Sequence, residues 1–122
     1  MMRQYNVMDL FAGVGGLSYG FSMLPQFNII AANEIEKDIS IAYELNHPNV
    51  EMLNCDINNL TEDILNQALN RKKIDIVVGG PPCQSYSTLG KRQNDERANL
   101  FMQYKRILKI LQPKAFVFEN VI

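Results

Sequence analysis

Short apolar runs alternate along the chain with longer segments whose apolar residues recur every three or four positions. The short runs lie at residues 5–10, 27–32, 50–54, 74–78 and 115–118. Runs of this length, rich in β-branched and aromatic residues and closed by turn formers, predict strands. Residues 74–78, Ile-Asp-Ile-Val-Val, form the clearest one, with the near-continuous apolar character of a central parallel strand buried on both faces. Residues 50–54 form the weakest.

The longer segments predict four helices. The first begins near Leu17. The second carries Ile35, Ile39, Ala42 and Tyr43 on one face and stops at Asn46-His47-Pro48. The third is capped by Thr61, has Glu62 and Asp63 in its first turn, an apolar stripe of Ile64, Leu65, Ala68 and Leu69, and Arg71, Lys72 and Lys73 at its C-terminal end. The fourth covers residues 98–111, with Leu100, Phe101, Tyr104, Ile107, Leu108 and Leu111 on one face, and Pro113 stops it. The polar residues 89–97 predict a loop. Five strands alternating with four helices give an α/β fold with a mostly parallel sheet.

Ligands of such sheets bind outside the carboxyl ends of the strands. Asp9 and Phe11, Glu34, Asp56, Cys83 and Glu119 each follow the end of a different predicted strand, so they converge on one cleft. The first strand runs into Gly13-Val14-Gly15-Gly16 and then a helix, the layout of a nucleotide-binding βα unit, although the spacing is not the full G-x-G-x-x-G. A plain glycine turn is the alternative. Glu34 falls about 20 residues on, where an acid can bind ribose hydroxyls; a solvated carboxylate at a helix start is the other reading. Cys83 stands on a turn, Gly79-Gly80-Pro81-Pro82-Cys83-Gln84-Ser85, that projects it from the sheet edge as a candidate nucleophile. A free cysteine is otherwise a small buried hydrophobe, the reading given to Cys55. Glu119 is a candidate general acid if burial keeps it protonated, or else a carboxylate binding backbone N–H groups.

Composition narrows the classes. The chain of 122 residues has room for one core, with 47% hydrophobic and 20% charged residues, ordinary for a globular domain. No apolar run reaches the length of a membrane span and no signal peptide is visible, so a cytoplasmic location is expected. Two cysteines and one histidine, His47, form no metal-like cluster, and no metal is expected. His47, beside a helix-stopping proline, is read as structural or merely exposed. The net charge of −1 argues against a surface that grips nucleic acid mainly by electrostatics, without excluding nucleic acid as substrate.

Asp9-Leu10-Phe11-Ala12-Gly13-Val14-Gly15-Gly16, Gly80-Pro81-Pro82-Cys83-Gln84 and Phe118-Glu119-Asn120-Val121 resemble, in order, three signature motifs of cytosine-C5 DNA methyltransferases. Asn33-Glu34, Cys55-Asp56-Ile57 and Asp95-Glu96-Arg97-Ala98-Asn99-Leu100-Phe101 resemble the family's further cofactor segments. The resemblance implies a Rossmann-like methyltransferase fold and S-adenosylmethionine as cofactor. It puts Phe11 on the adenine, and the turn of Asp9, Ala12, Gly13, Gly15 and Gly16 near the methionine part. Glu34, with Ile35 beside it, would bind the ribose side. Asp56 and Ile57 would contact adenine, and Pro81 and Leu100 would line the pocket. It also implies catalysis by Cys83, which adds to cytosine C6, with Glu119 at N3, Asn120 holding the site and Pro82 orienting the cysteine turn. The substrate implied is a cytosine flipped out of double-stranded DNA, as in bacterial restriction–modification systems. A tRNA-modifying relative and a non-catalytic cofactor-binding fragment are the alternatives.

The family's later motifs do not occur in the sequence. Residues 1–122 are therefore expected to be a partial catalytic domain, truncated after the fifth strand and lacking the target-recognition region. Alone it is expected to be inactive, needing a complementing C-terminal chain or domain, with the fifth strand left as an apolar edge.

Overall fold

The computed structural model describes residues 3–81 and 90–119. Its elements are β1 (Tyr5–Leu10), α1 (Gly16–Ser22), β2 (Phe27–Asn33), α2 (Lys37–Asn46), β3 (Glu51–Leu53), a 3-10 turn (Ile57–Asn59), α3 (Glu62–Leu69), β4 (Ile76–Gly79), α4 (Gly90–Leu111) and β5 (Ala115–Phe118). The five strands form one sheet in the order β3-β2-β1-β4-β5, and every pair is parallel. The chain winds outward from β1 through β2 and β3, then returns to the other side of β1 with β4 and β5. The carboxyl ends of β1 and β4 thus flank a topological switch point, where such sheets open a crevice.

Helices cover both faces. Met8, Leu10, Ala31 and Val77 pack with Leu60, Leu65, Leu69, Ile74, Tyr104 and Ile107 on the side of α3 and α4. Val7, Ile29 and Val78 face Leu17 and Phe21 of α1, while Ala32 packs with Tyr43 of α2. The alternation within β1 follows the two-residue period of a strand. In β2 it is interrupted: Val7 pairs with Ile29 but Met8 with Ala31, so Ile30 is an extra residue, and Ile30 and Ala31 both pack on the α3 and α4 side.

Four expectations are corrected. α4 begins at Gly90, so residues 90–97 are helical rather than a loop. That run is polar, but Lys, Arg, Gln and Glu are good helix formers, and polarity alone did not distinguish the two. In α2 the buried positions are Ser40 and Tyr43, whereas Ile35 lies ahead of the helix and both it and Ile39 are exposed. The inward face there is set by hydrogen bonding as well as by apolarity. α3 closes on Asn70 in the left-handed region, φ 50°, so Arg71, Lys72 and Lys73 lie beyond the helix. β4 starts at Ile76, because Asp75 is held by Asn6: the Asn6 N–H donates to Asp75 Oδ2 at 2.8 Å, and the Asp75 N–H donates to the Asn6 carbonyl at 2.8 Å.

Tyr104 ties β4 to β5. It is buried, and its hydroxyl donates toward the carbonyls of Val117 (2.8 Å) and Val77 (3.3 Å). β5 lies at one edge of the sheet, with Phe116 and Val117 exposed. Among the described residues, no helix is long and apolar enough to cross a membrane.

Candidate active site

The turn after β1 depends on left-handed backbone, unfavourable at Phe11 and natural to its glycines. Phe11 (φ 54°), Gly13 (φ 60°) and Gly15 (φ 99°) are all left-handed within five residues. Phenylalanine rarely adopts this conformation, and such residues gather where a site over-determines the backbone. The turn is held from three sides. The Ala12 N–H donates to the Asn33 carbonyl (3.0 Å), Asn46 Nδ2 to the Val14 carbonyl (3.0 Å), and the Gly13 N–H to Glu34 Oε1 (2.9 Å). The other carboxylate oxygen of Glu34 accepts from the Glu36 N–H at 2.8 Å. Glu34 is thus buried at the end of β2, and it links the glycine turn to the start of α2.

Behind the turn lies a buried polar chain that sequence reading missed. Asp9 has no solvent exposure, and Ser18 Oγ donates to its Oδ2 at 2.6 Å. Ser18 Oγ also lies 2.7 Å from the Tyr43 hydroxyl. Asp9 Oδ1 has no partner among the described residues. Burial raises the Asp9 carboxyl to about 6, against the lowering effect of Ser18, and burial also raises the Tyr43 hydroxyl. His47 is buried against the Tyr43 ring, 4.7 Å between centroids, with Nε2 3.1 Å from the Gly15 carbonyl. It is structural, as one of the two sequence readings had it. No local pattern announced that its ring would meet Gly15, 32 positions away.

At the end of β3, Asp56 Oδ1 accepts from the N–H (2.9 Å) and Nδ2 (2.7 Å) of Asn58, capping the 3-10 turn. The Ile57 side chain is in the core, so only its backbone can face the cleft. Arg106 secures the turn from α4, donating through Nη1 to the Leu60 carbonyl (2.6 Å) and through Nη2 to the Ile57 carbonyl (2.9 Å). Phe11 and Leu100, both half-buried, pack on the rim of the same apolar cluster. Cys55 is half-buried, and burial raises its thiol, in keeping with an unreactive role. Ile35 is exposed beside Glu34.

At the ends of β4 and β5, the Glu119 N–H donates to the Gly79 carbonyl at 2.9 Å, and the Glu119 carboxylate lies directly over Gly80. Pro81 is half-buried just beyond. Glu119 is exposed, so the described residues do not supply the burial expected of it. Pro82, Cys83 and Asn120 lie outside the described residues. The glycine turn, Glu34, Asp56, Gly80, Pro81 and Glu119 all lie at the carboxyl edge of the sheet, whereas Asp9 lies within β1, paired with Ala32 and Val78 and fully buried, rather than past the strand end as expected. Among the described residues, no group of three or more His, Cys, Asp or Glu side chains is placed to hold a metal ion.

Comparison with known proteins agrees with this architecture. The family model for C-5 cytosine-specific DNA methylase matches residues 5–122. The Type II methyltransferase M1.HphI of Haemophilus parahaemolyticus is 41% identical over 118 residues, covering 93% of this chain and 32% of that protein. M.DdeI of Desulfomicrobium norvegicum is 43% identical over 120 residues, covering 96% of this chain and 28% of that protein. A solved structure of a prophage-encoded E. coli protein, described as a DNA modification methyltransferase, superposes with a TM-score of 0.83 at 35% identity, covering 97% of this chain and 32% of that one. The chain thus spans less than a third of the length of these relatives. It belongs to the C-5 cytosine-specific DNA methylase family.

Proposed function

We propose that residues 1–122 form the cofactor- and nucleophile-bearing part of a DNA cytosine-C5 methyltransferase that uses S-adenosylmethionine. The observation that carries this is the gathering of the left-handed glycine turn, Glu34, Asp56 and Glu119 at one sheet edge, in a chain that matches the family throughout residues 5–122. The residues suit the cofactor. A Cβ added to Gly13 or Gly16 would meet nothing within 4 Å, so this side of the turn is open to a ligand. Each Glu34 oxygen accepts one backbone N–H, leaving lone pairs for ribose hydroxyls. Phe11 and Leu100 offer an apolar rim for the adenine, near Asp56 and the Ile57 N–H.

When bound, S-adenosylmethionine supplies an electrophilic methyl group. Cytosine C5 is a poor nucleophile until the Cys83 thiolate adds to C6, which uses up the C5–C6 double bond and leaves C5 as the nucleophilic carbon of a C4–C5 enamine. Glu119 donates a hydrogen bond at N3 and offsets the charge that develops there, with Asn120 and Pro82 holding the acid and the cysteine turn in place. After methyl transfer to C5, a base removes the C5 proton and the C6–S bond breaks, freeing Cys83. Covalent catalysis divides one difficult substitution into easier steps. The target base must leave the duplex, at a cost of roughly a few kcal/mol. We assign base reading and completion of the site to sequence beyond these 122 residues, in the same or a second chain, because the relatives are more than three times as long.

Trapping tests the reading. DNA carrying 5-fluorocytosine, incubated with S-adenosylmethionine and the protein completed by such a C-terminal part, is expected to give a covalent adduct at Cys83, because fluorine cannot leave as the proton does. Cys83→Ser removes the adduct and all turnover. An adduct with tRNA but not with DNA would move the enzyme to the RNA branch. Unchanged turnover in Cys83→Ser would end the mechanism.

A further inference from the structure

Two asparagines exchange hydrogen bonds between the ends of β2 and β3. Asn33 is buried, and its Nδ2 donates to the carbonyls of Leu53 (2.7 Å) and Cys55 (2.9 Å). Asn54 reaches the other way: its Nδ2 donates to the carbonyls of Glu34 (2.8 Å) and Ile35 (3.1 Å). Each NH₂ group has two hydrogens, and each is directed at two main-chain acceptors on the opposite segment. The β2–β3 ladder ends where Asn33 pairs with Leu53, and β3 itself is only three residues long. Beyond that pair twisted strands diverge, so the two amides carry cross-strand hydrogen bonding past the last backbone pair.

The residues just beyond are the ones that matter to the ligand. Glu34 follows Asn33, and Asp56 lies two positions past Asn54. Glu34 goes on to hold the Gly13 and Glu36 N–H groups, while Asp56 holds that of Asn58. We infer that Asn33 and Asn54 are positioning residues that fix the spacing between Glu34 and the Asp56–Ile57 segment, and so set affinity for the adenosine end of the cofactor. The inference rests on the cofactor reading above. Only a primary amide of this length suits the role: a carboxylate of the same shape has no donor, and a hydroxyl has one. Adenosine does not change during methyl transfer, so the clasp strengthens binding uniformly and leaves the chemical step alone.

Calorimetric titration of the protein, completed by its C-terminal part, with S-adenosylhomocysteine tests this in Asn54→Leu and Asn54→Asp. Asn54 is exposed, so neither change disturbs the core. Both are expected to weaken binding about 10-fold or more at unchanged stoichiometry, because two hydrogen bonds are lost. Lower stoichiometry at unchanged affinity would mean only a smaller folded fraction, and would overturn the assignment, as would parental affinity in Asn54→Leu. If the parent itself does not bind, the cofactor reading fails, and amide exchange decides the clasp separately. Faster exchange in Asn54→Leu at Gly13, Glu36 and Asn58 together upholds it, and exchange unchanged at any of the three overturns it.

Discussion

The carboxylate of Glu119 occupies the volume that a Cβ on Gly80 would need. The acid at the end of β5 and the first residue of the cysteine turn can therefore be this close only while residue 80 is glycine. The obstructing atom is the far end of a flexible side chain, so Gly80→Ala moves the carboxylate more than it strains the fold. Gly79 is the opposite case: its added Cβ would meet the Leu10 carbonyl at 2.7 Å and Tyr104 Cε2 at 2.9 Å, both fixed in the core. In urea melts, Gly79→Ala should lose about 1–3 kcal/mol, as overpacking does, while Gly80→Ala should stay within about 1 kcal/mol of the parent. In methyl transfer by the completed enzyme, Gly80→Ala should fall about 100-fold, the scale of a lost general acid.

Gly15 is limited in two independent ways. Its φ of 99° excludes most side chains, and an added Cβ would meet His47 Nε2 at 2.5 Å and Cδ2 at 2.6 Å. Gly15→Ala should therefore destabilise by about 2 kcal/mol or more. Adding His47→Ala removes the two shortest contacts but neither the 3.0 Å contact with Tyr43 Cδ2 nor the backbone strain, so the double variant should recover part of the loss. A double-mutant cycle by urea denaturation measures that coupling, and a strictly additive pair would show that the ring is not the obstacle.

Asp9 gives a signed pH dependence. Its carboxyl lies at about 6 in the fold, against an ordinary 3.8, because burial disfavours the charge. The folded state then holds the proton more tightly than the unfolded chain, so stability is lost as pH rises from about 4 to about 6 and is level above that. The loss is on the order of 3 kcal/mol. Asp9→Asn keeps an acceptor for Ser18 and removes the charge. The stability difference between variant and parent, measured from pH 4 to 8, should grow in the variant's favour up to about pH 6 and then stay constant.

Arg106 acts as a fork rather than a point charge. Nη1 and Nη2 bind two carbonyls of the segment that carries Asp56, while Nε donates to Gln103 Oε1 at 2.7 Å. Arg106→Met keeps much of the stem and should cost about 1.5–3 kcal/mol. Arg106→Lys should recover little, since an ammonium cannot reproduce the planar fork. Thermal melts of the two variants, side by side, separate charge from geometry.

What the sequence made legible follows from how local each signal was. Residues 76–78 are β-branched and apolar, and a strand buried on both faces leaves that mark wherever it occurs. The glycines at 13 and 15 marked a turn that needs left-handed backbone, and Glu34, Asp56 and Glu119, each past the end of a strand, marked the functional edge. The contacts that stiffen the edge left no such trace. Arg106 meets Leu60 and Ile57 across 46 and 49 positions, and the Asp9–Ser18–Tyr43 chain joins three elements through ordinary residues. Residues 90–97 were misread because a polar run is equally compatible with a helix and a loop when its partners are unknown. The second helix was misread for the converse reason, since Ser40 lies inward and Ile39 outward.

The place of β1 in the sheet has a consequence for how the chain assembles during synthesis. β1 is central, yet its neighbour β4 is clamped to it through Asn6 and Asp75, which are 69 positions apart. At ribosomal speeds of about 5–20 residues per second, β1 waits roughly 3–14 s for that partner. In the interval β2 and β3 can already pair on its other side, leaving one flank of β1 open. Slowing translation between residues 10 and 75 should therefore lengthen the life of a half-built sheet, and chaperones that recognise exposed strand edges should bind nascent chains in that window.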